Sequence, residues 1–594
     1  MAKLKTTDLK LFKFFLTFVK PYKGWVWLAL LAMPFAIGST LAMPWLIVKV
    51  IDEKLSHHDL TGFWGLIGLM ALSVLVGYFA DGVYTYSLQR TGQKSIADLR
   101  IAVFRHCLAL PRSFYDHNPV GKVLSRLTSD MEALGESLAM GVLNLISDFV
   151  KTLGLFFFLL YLSWKLTLVV VVILLPVWGV TVVLKKKLRQ TFNEAREALA
   201  EATAYLAECL IGIKTVQLFA AEEKVLTQFN RKNFRFLQAQ NRNNTYDALL
   251  YSLIEGLTSV AMAALIWYGA GLILVGVVSI GVLVGFINTL NRIFVPIREF
   301  AQQLAMIQRA FSALEQVMVL LSEPLPQENR LSEAQERQLG GFESLVFDQV
   351  SFGYGKAGEL ALKKVSFSLE KGQRVALVGA TGSGKSTILR LIYKAYEGYQ
   401  GSIRLNGIEL STIPRSKMLA LTSLMQQDVY LFNEPVGFNI ALGLELSPEA
   451  IREAAQAVNA DPFIEALPGG YDFKITDNGK NLSSGQAQLV SFARSMAKPA
   501  DLVLLDEATS SVDSITEEAI QKATTRIFET KTVIAIAHRL STIEHSDLIL
   551  VMKGGEIIER GTHPELLAQR GYYEQLLNHL TQEQPLEEAK ALGS

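Results

Sequence analysis

Six long apolar stretches constrain this chain more than any other feature. They run over Trp25–Val50, Phe63–Leu88, Leu138–Leu162, Leu166–Leu184, Ala248–Val275 and Ile280–Pro296. Each is of the length that crosses a hydrocarbon core as a helix, about 20 residues. A soluble core can bury one such helix, but not six in succession. The first half is therefore read as an all-α membrane domain of six spans. Composition supports this, because 594 residues exceed a single core and 50% of them are hydrophobic. The formal net charge of +1 says nothing about a polyanionic partner, and no nucleic acid partner is expected. Cys107 and Cys209 are read as small buried hydrophobes in a reducing compartment, not as a disulfide or a metal site.

The connections give an orientation. Between spans two and three, and between four and five, the loops are long and rich in Lys and Arg, as in the run "KKKLRQ" from Lys185. Positive residues remain on the cytoplasmic side, which places both termini and both long loops there. The start, "LKLFKFFLTFVK", alternates apolar residues with Lys and reads as an amphipathic surface helix. The long loops themselves carry helical periodicity and few breakers, so they extend the spanning helices beyond the membrane. Breaks fall at "DHNPVG" and at Phe219–Ala221, where each extension turns at its tip.

A second domain follows a polar linker, "SEPLPQENRLSEAQERQLGG". Strand-like runs such as "RVALVG", "DLVLLD" and "TVIAIAH" alternate with helical patterns, which indicates a largely parallel α/β sheet. The boundaries read as 1–322 for the membrane domain, 323–342 for the linker, 343–580 for the α/β domain and 581–594 for a disordered tail.

Within the α/β domain, Gly379-Ala-Thr381-Gly382-Ser383-Gly384-Lys385-Ser386 fits G-x-x-x-x-G-K-[ST] between a strand and a helix. Glycines let backbone amides curl around phosphate oxygens, and the helix N-terminus adds its partial positive charge. The loop through Thr387 is thus a nucleotide site, with Lys385 reaching the β- and γ-phosphates and the Ser386 hydroxyl ligating Mg²⁺. Downstream, "DLVLLDEATSSVD" ends a buried strand in two carboxylates. Asp506 suits a Mg²⁺ held through water, and Glu507 suits polarisation of the water that attacks the γ-phosphorus.

At this point the sequence resembles the ATP-binding cassette family. Leu482-Ser483-Ser484-Gly485-Gln486 resembles that family's signature motif and precedes the Asp506–Glu507 strand. The resemblance implies that Tyr354 stacks on adenine and that Gln427 links the phosphate site, including its Mg²⁺, to the membrane domain. It further implies that Asp513 ends the D-loop and that His538 senses the γ-phosphate. Six spans followed by one nucleotide domain are similar to an exporter-type half-transporter, near the bacterial multidrug and lipid exporters. "SFYDHNPVGKVLSRLTSD" and "GIKTVQLFAAEEKVLTQF" resemble its two cytoplasmic loops, whose tips in such proteins dock near Gln427 and Tyr430–Phe432. Two positions depart from the pattern. Ser484 stands where the family usually has Gly, which implies reduced or unchanged turnover, and Asn478 stands where it usually has Arg.

The resemblance implies ATP-driven export of amphipathic or hydrophobic compounds, drugs or lipids, across a bacterial inner membrane by alternating access. The alternatives are a flippase with a dedicated lipid substrate and the competent half of a heterodimer. A dimer is implied in every case, because the family's signature motif completes the phosphate site of the partner chain. Intact Lys385, Glu507 and His538 favour two identical copies. An importer or ATP-gated channel, a soluble cassette ATPase and a non-hydrolysing regulator are disfavoured respectively by the fused domains, the six spans and Glu507. Intramembrane polar residues are the place to seek the substrate path. Asp148 and Lys151, one turn apart, are expected to neutralise each other; Glu255, near one end of span five, is read as interfacial or as a cavity residue; and Asn288, Asn291 and Arg292 are expected to face a cavity with Phe286 and Phe294.

Overall fold

The computed structural model describes residues 6–56, 61–135, 141–326, 331–354, 359–426, 429–506, 514–537 and 543–578. The chain divides into two compact units, Met1–Leu108 with Val120–Glu323, and Ala109–Pro119 with Pro324–Ser594.

The first unit is helical. Its long elements are α1 (Thr6–Val19), α2 (Lys23–Lys49), α3 (Phe63–Ala109), α4 (Gly141–Leu162), α5 (Trp164–Ile211), α6 (Glu222–Leu274) and α7 (Ile280–Leu321). Where they are described, all six apolar stretches fall in these helices except at the terminal residues Val50 and Val275. Among the described residues, four helical segments are long and apolar enough to cross a membrane, and shorter apolar helical runs cover Trp164–Ile173 and Ile280–Leu290. Pro34, Pro44 and Pro176 lie inside helices, as spanning helices tolerate. Helices α3, α5, α6 and α7 have 47, 48, 53 and 42 residues. At about 1.5 Å per residue they are roughly 60–80 Å long, about twice a hydrocarbon core. The long loops are thus mostly continuations of the spanning helices.

Both breaks expected from the sequence occur. A short helix, Arg112–His117, follows Pro111 and ends at an extended Asn118. At the other tip, helix Ile213–Leu218 is followed by Ala220 at φ +47°, and Ala221 starts α6. Leu218 and Phe219 are 83% and 78% exposed there. The extensions of α5 and α6 pack through small side chains, Ala195, Ala198 and Ala239, with Arg235 bonded to Glu201 at 2.8 Å. Near the start of α7, Asp52 accepts from Ser279 Oγ at 2.5 Å and Gly281 N at 2.8 Å. One carboxylate thereby satisfies the amide end of the last long helix.

Two expectations for the intramembrane residues change. Phe286 is fully buried with Leu155, Leu159, Leu166, Ala261 and Leu265, because the face of α7 that carries it packs on neighbouring helices. Asp148 accepts from Gln303 Nε2 at 2.9 Å, and no ion pair joins it to Lys151 among the described residues. An amide on α7 therefore hydrogen-bonds the carboxylate where an ion pair was expected. Glu255 is exposed, while Arg292 and Asn288 are half-buried. The side chains of Asn291 and Phe294 lie outside those described.

The second unit holds two sheets. Strands β1 (Ser344–Phe352), β2 (Leu362–Glu370), β4 (Gln400–Leu405) and β5 (Ile408–Glu409) form an antiparallel sheet in the order β2-β1-β4-β5. The other strands are β3 (Arg374–Gly379), β6 (Thr422–Met425), β7 (Leu502–Asp506), β8 (Thr532–Ile536), β9 (Leu548–Lys553) and β10 (Glu556–Gly561). They form a second sheet in the order β10-β9-β3-β8-β7-β6. All of its pairs except β10–β9 are parallel. Strands β3, β7 and β8 are buried along their length, as continuous apolar runs in a covered parallel sheet should be. A single core joins both sheets to the helix after β3, through Phe347, Leu377, Ile388, Leu504, Ile534 and Leu550. Part of the polar stretch read as linker belongs to this unit. Ser332 and Gln335 form a reciprocal cap on helix Glu333–Gln338, and Leu339 and Phe342 enter the core. Two apolar anchors at its end outweigh the polar composition.

Candidate nucleotide site

The carboxyl ends of the parallel strands build the site. Strand β3 ends at Gly379 and leads through the loop into α8 (Lys385–Ile392). Gly384 takes φ +104°, a left-handed backbone that only glycine adopts at low cost. A Cβ there would lie 2.7 Å from the Ala361 carbonyl oxygen, so the glycine is also required for close packing on the adjacent segment before β2. The loop is braced by Gly555 N donating to Ser383 O at 3.1 Å. No side chain caps α8, which leaves the amides of its first turn for a ligand. The buried Ser383 Oγ has no partner, which marks a polar cradle.

Lys385 is only 6% exposed, and its Nζ donates to the carbonyls of Gly379 at 2.7 Å and Ala380 at 3.0 Å. The ammonium is thus folded across the mouth of its own loop. Burial lowers its pKa, and the carboxylate of Asp506 partly restores it. That carboxylate comes from the end of β7. Asp506 and Leu377 both lie level with Ile536 on the intervening strand, which puts them two strand spacings, about 10 Å, apart. Sequence-distant Lys385 and Asp506 therefore share one edge of the sheet. Ser386 is half-buried at the second position of α8, and its hydroxyl with the Asp506 carboxylate are hard oxygen donors that fit Mg²⁺. No cluster of three or more His, Cys, Asp or Glu occurs among the described residues, so such an ion would depend on phosphate oxygens as well. Glu507, Asp513, His538 and Gln427 lie outside the described residues.

Tyr354 follows β1, with its hydroxyl 2.9 Å from Thr387 Oγ1 and accepting from Arg390 Nη1 at 3.2 Å. Its ring meets Phe352 and Tyr396 edge-on, at 5.2 and 4.9 Å between centroids. Tyr396 in turn donates to Asp116. Burial and that carboxylate push its phenol up to about 12, so it remains a donor. These side chains, with Ser113 and His117, line an open cleft of about 320 Å³. Sequence reasoning missed Arg390 and Tyr396. It also expected the first loop tip near Gln427 and Tyr430–Phe432, whereas Arg112–His117 belongs with the Tyr396 cleft. The cue was the "YKAYEGY" run after α8, whose aromatics had no assigned role.

The signature segment makes a different helix start. Ser483 caps α9 (Ser484–Ala497), accepting from Gln486 N at 3.2 Å, while Ser483 N donates to Gln486 Oε1 at 3.0 Å. Leu482 and Gly485 are buried, and Ser484 is exposed at the first helical position. Ser484 therefore holds an ordinary helical backbone and needs no glycine for its conformation. Asn478 takes φ +60°, accepts from Leu431 N at 3.1 Å and donates its own amide to Asn433 Oδ1 at 3.3 Å. It thus braces the Tyr430–Phe432 segment locally. Arg494 and Asn439, also missed from sequence, support the same segment from behind, with Arg494 Nη1 donating to Tyr430 O at 3.1 Å and Asn439 Oδ1 accepting from Phe432 N at 2.8 Å.

Comparison with known proteins matches both halves. Residues 26–297 match the model of the ABC transporter transmembrane region, and residues 362–510 match that of the ABC transporter domain. The chain is 32% identical to an ATP-dependent lipid A-core flippase of Thiobacillus denitrificans, over 96% of this chain and 98% of the relative. It is 35% identical to YheH of Bacillus subtilis, named a probable multidrug resistance ABC transporter ATP-binding/permease protein, over 88% of this chain and 79% of the relative. A solved bacterial Atm1-family ABC exporter with ATP bound superposes with a TM-score of 0.76 at 26% identity, covering 94% of this chain and 98% of that one.

Proposed function

Since the chain belongs to the ABC transporter family and is an ATP-hydrolysing exporter of a membrane, we propose that it expels amphipathic or hydrophobic compounds, drugs or lipids, as a homodimer. The observation that carries the ATP half of this reading is the shared sheet edge of the phosphate loop, buried Lys385 and Asp506. Relatives named for multidrug resistance and for lipid A-core flipping support the substrate class. The proposed site of action is the bacterial inner membrane; the Lys- and Arg-rich loops support a nucleotide domain on the cytoplasmic side.

The roles proposed for the residues combine the motif resemblance with the geometry of those that are described. Uncapped amides of α8, with Gly379, Thr381, Gly382, Ser383, Gly384 and Thr387, hold the phosphates, and Lys385 turns from its own carbonyls to the β- and γ-phosphates. Tyr354 stacks on the base. Ser386, Asp506 and Gln427 would hold Mg²⁺, which would supply neutralisation of the phosphate charge. Glu507 takes the proton of the attacking water, and His538 reads the γ-phosphate. Ser483, Ser484, Gly485 and Gln486 serve the partner's ATP, with Asp513 beside the twofold interface, so each chain supplies half of two sites. ATP bridges the two domains and favours their closed pairing; hydrolysis releases it, and the long helices α3, α5, α6 and α7 carry the change into the membrane.

The test is transport by the purified chain in proteoliposomes, scored for nucleotide domains facing outward. ATP-dependent accumulation of a fluorescent hydrophobic cation, or movement of a fluorescent phospholipid to the leaflet away from those domains, is expected. ATP-dependent movement of solute toward the nucleotide domains overturns the export reading.

A further inference from the structure

We infer that Arg390 and Tyr396 are positioning residues for the base-stacking Tyr354, holding its ring at a fixed distance from the phosphate loop. The inference rests on the nucleotide reading of this site and names residues that the motifs do not contain.

Tyr354 is an exposed aromatic just after a strand, and its ring needs contacts to hold it in one orientation. Four contacts do so. The Thr387 hydroxyl, on the third residue of α8, lies 2.9 Å from the Tyr354 hydroxyl. This ties the ring to the helix whose N-terminus receives the phosphates. Arg390, one turn further along α8, donates to the same hydroxyl at 3.2 Å. Tyr396 and Phe352 set the ring plane from its edges. The Tyr396 hydroxyl is used on its far side, by Asp116 of the Ala109–Pro119 segment, so its ring is anchored in turn. An aromatic held in one orientation before a base arrives loses less rotamer freedom on binding, and that loss is of the order that side-chain ordering carries. The open face of the same cleft, lined by Ser113, His117 and Arg390, leaves room for a planar ligand beside Tyr354.

The wall acts on the base and not on the phosphates, and this separates it from a general structural role. The experiment compares ATP with inorganic tripolyphosphate, which has the phosphates and no base, as ligands of the full chain in lipid nanodiscs. Arg390→Ala and Tyr396→Ala are expected to weaken ATP binding about threefold to tenfold, the range of an aromatic contact, and to leave tripolyphosphate binding within about twofold. Tyr396→Phe keeps the ring edge and loses the bond to Asp116. It is expected to weaken ATP about twofold, which guards against a misfolded alanine variant. Equal weakening of ATP and tripolyphosphate, or unchanged ATP binding in both alanine variants, overturns the inference. Failure of the unaltered chain to bind either ligand would instead overturn the nucleotide reading on which it rests.

Discussion

Two helix starts in the nucleotide domain differ in how their amides are satisfied. Helix α8 begins at a left-handed glycine with no side-chain cap, and its cradle is glycine-built with a buried lysine folded across it. Helix α9 begins at a reciprocal Ser483–Gln486 cap that satisfies two of its own amides. The first start is left open for a ligand. The second is self-supporting and offers only the amides next to Ser484 and an exposed hydroxyl. The difference is what the proposed function needs: a first start open to ATP, and a second suited to complete a site that already holds its nucleotide.

Substitutions can break this contrast. Lys385→Ala removes the buried ammonium of the phosphate loop and should lower phosphate release about 100-fold or more, with ATP affinity lost in parallel by fluorescent-nucleotide titration. Gly384→Ala puts a Cβ 2.7 Å from the Ala361 carbonyl in a left-handed backbone. It should destabilise the nucleotide domain by about 1–3 kcal/mol, seen as a lowered unfolding temperature of the full chain. Ser483→Ala should cost α9 about 1 kcal/mol of capping and reduce turnover while ATP affinity holds.

Acidity sharpens the same contrast. Burial lowers the pKa of Lys385, and a triphosphate favours its charged form. Binding therefore takes up a proton, and ATP affinity should fall as pH rises through the lowered value. Lys385→Arg should flatten that profile, whatever it does to affinity itself. The smallest effect is assigned to Ser484→Gly. Because Ser484 is helical and exposed, its turnover should change by no more than about threefold, measured as phosphate release.

What was legible in the sequence was local. The glycine spacing of Gly379–Ser386, the apolar runs of β3 and β7 and the apolar spans are written in consecutive residues. The extensions were legible too, since helical periodicity continues through them. What was hidden depends on side chains brought together by the fold. Tyr354 was singled out, but its wall comes from two distant segments, Arg390 and Tyr396 in and just after α8, and Asp116 some 280 residues before Tyr396. Phe286 looks like a cavity aromatic until α7 packs against its neighbours. The Asp148–Gln303 bond joins residues 155 apart, beyond any turn-by-turn pairing. The Ser332–Gln335 cap was readable as S-x-x-Q, yet a polar composition drew the reading toward a linker.

The central claim is that two copies of this chain suffice to hydrolyse ATP with Glu507 as the base. Phosphate release by the chain purified alone in lipid nanodiscs, beside Glu507→Gln, tests it most directly. Turnover that the substitution lowers by about 100-fold or more, with ATP still bound, is the predicted result. ATP binding without turnover by the unaltered chain, restored only when a different half-transporter is added, would contradict it.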